Sequence, residues 1–81
     1  MGKVAVLFKV YTDEGQEDSV SKLITEQAKP NSMQMEDIAF GIKIIKVLYV
    51  HEDTEGSSIY EEKLKKIQGV KEVEFVEETL I

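Results

Sequence analysis

The chain has 81 residues with one proline, no cysteine and no tryptophan, a length that predicts one domain with a thin core. Without cysteine there is no disulfide scaffold and no Cys-ligated zinc or iron–sulfur centre, and the composition fits a reducing cytosol. Sixteen acids against ten bases, all lysine, give a net charge of −6, which argues against a phosphate-gripping nucleic-acid binder.

The first element reads directly from period-two alternation. Val4, Val6, Phe8 and Val10 share one parity and Lys9 falls on the other, so residues 3–11 predict a strand with those four side chains facing the core. No targeting signal is visible here: the apolar run is too short to span a membrane, and a myristoylation motif wants Ser or Thr where Val6 stands. Thr12 to Gly15 is a polar turn. Val20, Leu23, Ile24, Gln27 and Ala28 then recur at helical spacing, with Glu17 and Asp18 in the first turn, where carboxylates oppose the positive dipole end. Pro30 disfavours helical geometry at Lys29, so this helix is expected to stop there.

Met33 to Ile38 alternates weakly as a second strand, and Ala39-Phe40-Gly41 interrupts it. Ile42 to Val50 carries the strongest strand signal, with Ile45, Val47 and Tyr49 on one face and Lys46, Leu48 and Val50 on the other. His51 to Gly56 is an acidic turn. Ser58 followed by Glu61 predicts a capping box, and Ile59, Tyr60, Leu64 and Ile67 supply the apolar face of a second helix that Gly69 ends. Lys71 to Val76 alternates as a fourth strand, Val73 and Phe75 facing the core opposite Glu72 and Glu74.

The order β-α-β-β-α-β predicts an α+β, ferredoxin-like sandwich: a four-stranded antiparallel sheet with two helices on one face. One sheet face is left uncovered, making Ala5, Leu7, Leu48, Val50 and Val76 the expected exposed apolar positions.

Catalytic chemistry finds little support. The single histidine, His51, has no nucleophile pattern around it and reads as a plain surface residue. The acidic clusters Asp13, Glu14, Glu17, Asp18 and Glu52, Asp53, Glu55 lack calcium-loop spacing and read as solvated turns and helix starts. The glycines are all isolated, so no phosphate-cradling loop is present. An RNA-binding module of this fold stacks bases on aromatic residues of its central strands. Here Phe8 and Tyr49 lie on the core parity, while the outward positions Ala5, Leu7, Lys9, Lys46, Leu48 and Val50 hold no aromatic.

One segment resists a purely structural account. Ile38-Ala39-Phe40-Gly41-Ile42-Lys43 sets a large aromatic in a tight connection where Asn, Asp, Gly or Ser is usual. Phe40 either tucks onto the core or stands out as the aromatic type enriched in interface hot spots, with Lys43 adding a charged contact.

That hexapeptide, followed by a long apolar strand and the acidic turn Glu52-Asp53, resembles the archaeal translation elongation factor 1-beta family and is similar to the C-terminal guanine-exchange domain of its eukaryotic counterpart. The resemblance spans the whole chain and implies that residues 1–81 are a single cytoplasmic guanine-exchange domain. It implies binding to elongation factor 1-alpha, the GTPase that delivers aminoacyl-tRNA, with release of its GDP accelerated by non-covalent means. The partner-binding residues it implies are Phe40 with Ala39, Gly41, Ile42 and Lys43; no catalytic residue, metal, cofactor, membrane or direct nucleic-acid partner is expected. The eukaryotic domain carries a lysine next to its last residue, where this chain has Leu80, so that role does not carry over and Lys43 is the first alternative. A different reading of the same scaffold is a small-molecule-sensing regulatory domain.

Overall fold

A computed structural model describes residues 2–39, 41–53 and 56–81. Strand β1 (Lys3–Thr12) leads into α1 (Glu17–Leu23), which continues as a π-helical turn over Ile24–Ala28. Then come β2 (Ser32–Ala39), β3 (Ile42–Glu52), α2 (Ser58–Lys65) and β4 (Val70–Leu80). The strands form one antiparallel sheet in the order β2-β3-β1-β4, the ferredoxin-like arrangement expected.

The alternation of β1 and β3 sets the core. Register places Val6 opposite Tyr49, Phe8 opposite Val47 and Val10 opposite Ile45, and all six are buried. Val20, Ile24 and Ala28 cover them from the first helix, and Leu64 and Ile67 from α2 and the turn after it. Burying side chains of this size contributes roughly 1.5–3 kcal/mol each for a Val, Leu, Ile or Phe. Val20, Ile24 and Ala28 are spaced four apart, which overshoots an α-helical turn of about 3.6 residues. The wider π turn keeps the last two over the sheet, and Lys29 then leaves the helix at φ 40, ahead of Pro30.

Three expectations are corrected. Helix α2 has no capping box: Ser57, not Ser58, holds the N-cap position without a side-chain cap bond, and Glu61 instead pairs with Lys65 one turn on at 3.0 Å. Strand β4 runs past Val76 to Leu80, because Glu77, Glu78, Thr79 and Leu80 find ladder partners in Leu7, Val6, Ala5 and Val4. Phe75 shares the core side with Val73 but is 47% exposed, since β4 is an edge strand; its ring makes a T-shaped contact with Phe8, at 6.1 Å between centroids.

The open face of the sheet is only half-buried at Ala5, Leu7, Leu48 and Val50, whereas Val76 is exposed. β1 reaches one residue farther than residues 3–11, to Thr12, and Tyr11 keeps the parity of Leu7 and Lys9, so it lies on this face in register with Glu72. The Tyr11 hydroxyl donates to Glu74 at 3.2 Å. Partial desolvation, and then the Glu74 bond and charge, hold its phenol above the ordinary value. Among the described residues no helix is long and apolar enough to cross a membrane.

Candidate functional site

The β2–β3 hairpin closes on a two-residue tip, since Ala39 pairs with Ile42. Gly41 adopts φ 79, a left-handed conformation that glycine enters without steric cost. Phe40, the aromatic singled out from the sequence, lies outside the described residues. Its neighbours Ala39, Gly41, Ile42 and Lys43 are all exposed, Ile42 at 55%, and Ile38 across the tip is exposed at 49%. Two large aliphatic side chains therefore stand at one hairpin end with no core to bury them.

The hairpin end does not stand alone. The β1–β3 ladder stops at Val10 and Ile45, and beyond it the strands part. The gap is an open depression of about 440 Å³ lined by Thr12, Glu14, Glu17, Gly41, Ile42, Lys43 and Lys71. Three of the five expected partner-binding residues, Gly41, Ile42 and Lys43, thus share one surface with the end of β1, the start of α1 and the start of β4. Lys43 keeps the parity of Ile45 and so projects on the helix-bearing side, with Asp37 opposite it in the ladder. Among the described residues, neither Lys43 nor Lys71 forms an ion pair; the two pairs present are Lys46–Glu36 at 2.6 Å and Lys65–Glu61. The Lys46 ammonium holds the Glu36 carboxyl below the ordinary carboxylate value.

This arrangement holds no metal cluster of His, Asp or Glu among the described residues, and what it offers is a contact surface: aliphatic side chains, a glycine tip and four separate charges. Residues 5–81 match the model of the EF-1 guanine nucleotide exchange domain. This chain belongs to that family.

Its relatives agree in length as well as in sequence. The chain is 42% identical over 84 aligned residues to elongation factor 1-beta of Aeropyrum pernix, covering 91% of each chain. It is 37% identical to elongation factor 1-beta of Methanosphaerula palustris, covering 99% of each, and 34% identical to that of Methanospirillum hungatei over the full length of both.

At the opposite end of this exchange domain, His51 is not the surface residue expected. It is buried, 5% exposed, on the helix-bearing face in register with Val4. Its Nδ1 lies 2.7 Å from the Glu52 carbonyl, which only accepts, so Nδ1 carries the proton. In the neutral ring Nε2 then accepts from the Ser57 hydroxyl at 3.0 Å. The ring stacks on Tyr60, which stacks in turn on Tyr49 at 4.4 Å between centroids. The missed signal was parity: His51 follows Tyr49 by two in β3. The Tyr49 hydroxyl donates to the Ala28 carbonyl at 2.8 Å and ties the strand to the end of the first helical element.

Proposed function

We propose that this chain promotes release of GDP from the GTPase elongation factor 1-alpha, and that residues 1–81 act together as one exchange domain. The observation that carries the reading is the family match over residues 5–81 in a chain whose exposed hairpin end presents Ile38, Ile42 and Lys43 to solvent. The action is non-covalent. An exchange factor binds the nucleotide-free conformation of its partner better than the nucleotide-bound one, and so raises the population of the former. Linkage then requires that GDP weaken the factor's grip by the same factor.

The hairpin end suits that role physically. Ile42 and Lys43 sit on strand backbone already ordered by pairing with β2, so docking them orders little new backbone and keeps the entropic cost of association low. The exposed aliphatic residues Ile38 and Ile42 resemble the apolar centre of an interface, with Lys43 at its polar rim.

The test is release of a fluorescent GDP analogue from elongation factor 1-alpha. Micromolar domain is expected to accelerate release, and a rate equal to the spontaneous one rejects the reading. A pull-down of the GTPase provides the linkage check, with capture expected to fall as GDP is added in excess.

A further inference from the structure

The edge strand β4 does not pair evenly with β1. Tyr11 stands opposite Glu72, but Thr12 stands opposite Val70, so Lys71 is left over as the extra residue of a β-bulge. Such a bulge bends the strand and re-aims the side chain it carries. Here the re-aimed side chain lines the same depression as Lys43, Ile42 and Gly41. Lys71 is exposed and, among the described residues, has no ion-pair partner. Glu14 and Glu17 line the depression as well and, among the described residues, are likewise outside any ion pair.

We infer that Lys71 is a partner-contacting residue, acting with Lys43 to seat an acidic side chain of the GTPase in the depression beside the hairpin tip. The inference rests on the exchange reading and extends its surface from one hairpin to three further elements. The occupant is a carboxylate on a protein surface rather than a nucleotide phosphate. Glu14 and Glu17 stand in the same depression as the lysines, and they repel a polyphosphate carrying several charges at once. A protein surface with interleaved charges meets both signs, and complementary charge of this kind chiefly raises the association rate.

The experiment measures association of the whole chain with nucleotide-free elongation factor 1-alpha by stopped flow at two salt concentrations. Lys71→Gln is expected to slow association roughly 3- to 10-fold at low salt and to flatten the salt dependence, as removal of a rim charge does. Lys71→Arg keeps the charge and is expected to retain the wild-type rate, while the melting temperatures of both variants stay near wild type. A Lys71→Gln variant that associates at the wild-type rate, from a wild-type chain that does accelerate GDP release, overturns the inference alone. A wild-type chain that leaves GDP release unchanged rejects the exchange reading and the inference with it. Inorganic tripolyphosphate that competes for the wild-type chain at submillimolar concentration, but loses that effect with Lys71→Gln, assigns the depression to phosphate and also overturns it.

Discussion

The His51 imidazole and the Ser57 hydroxyl meet at 3.0 Å and join the end of β3 to the first turn of α2. Ser57 is the N-cap residue of α2 but makes no side-chain cap bond to the helix; its hydroxyl donates to the strand's histidine instead. Three aromatic rings continue the link, His51 on Tyr60 and Tyr60 on Tyr49, down to the Ala28 carbonyl.

His51→Ala is therefore expected to destabilise the fold by about 2–4 kcal/mol, combining a cavity with an orphaned hydroxyl. Ser57→Ala alone should cost about 1 kcal/mol. Because the two share one bond, the double variant should lose less than the sum of the single losses. Urea unfolding of the three variants measures this, and an additive cycle would show that the bond carries no coupling.

Gly69→Ala is expected to cost about 2 kcal/mol or more, since it combines a left-handed backbone with overpacking. Gly69 sits at φ 94, and a Cβ there would come within 2.7 Å of the Val20 side chain. Gly41→Ala shares the strained φ but meets nothing within 4 Å, so it should cost less. Thermal unfolding of the two variants ranks them, and equal losses would remove the steric part of the account.

Burial, and then the neighbouring Tyr60, push the Tyr49 phenol up to about 12 from 10.0. The folded state therefore holds its proton where the unfolded chain has lost it. The resulting stabilisation is complete below pH 10 and is lost as pH rises toward about 12. Melting temperature should fall across that window, and Tyr49→Phe should flatten the decline while losing about 1 kcal/mol at neutral pH with the Ala28 bond. An unchanged alkaline slope in Tyr49→Phe would assign the decline to other groups.

Phe40→Ala and Ile42→Ser address the hairpin end. Each is expected to slow GDP release by roughly 10-fold or more, the effect of removing an interface anchor. Ile42 is exposed, so Ile42→Ser should leave the melting temperature nearly unchanged. Phe40→Ala that exchanges as fast as wild type would mark Phe40 as structural only.

The sheet and its core were legible because burial alternates along β1 and along β3 from Ile45 onward with the period of a strand, Ile44 alone being buried out of step. The same parity, extended two residues, would have put His51 inside with Tyr49. Local charge and the lack of a catalytic pattern pointed outward instead, because neither senses which side chains stack above a strand end. The hexapeptide Ile38 to Lys43 marked the hairpin end without reference to any contact, since an aromatic at a tight turn violates turn chemistry on its own.

The remaining features depend on the fit between elements distant in the chain. The bulge that strands Lys71 beside Lys43 arises from how β4 matches β1, and nothing in Val70-Lys71-Glu72 announces it. The contact of Ser57 with His51 depends on where α2 lands after the acidic turn. The need for glycine at position 69 comes from Val20, almost fifty residues earlier, pressing against its backbone. Length, charge, element order and core parity are properties of the chain read locally, whereas the depression and its four charges exist only once three strand ends and a helix start are brought to one place.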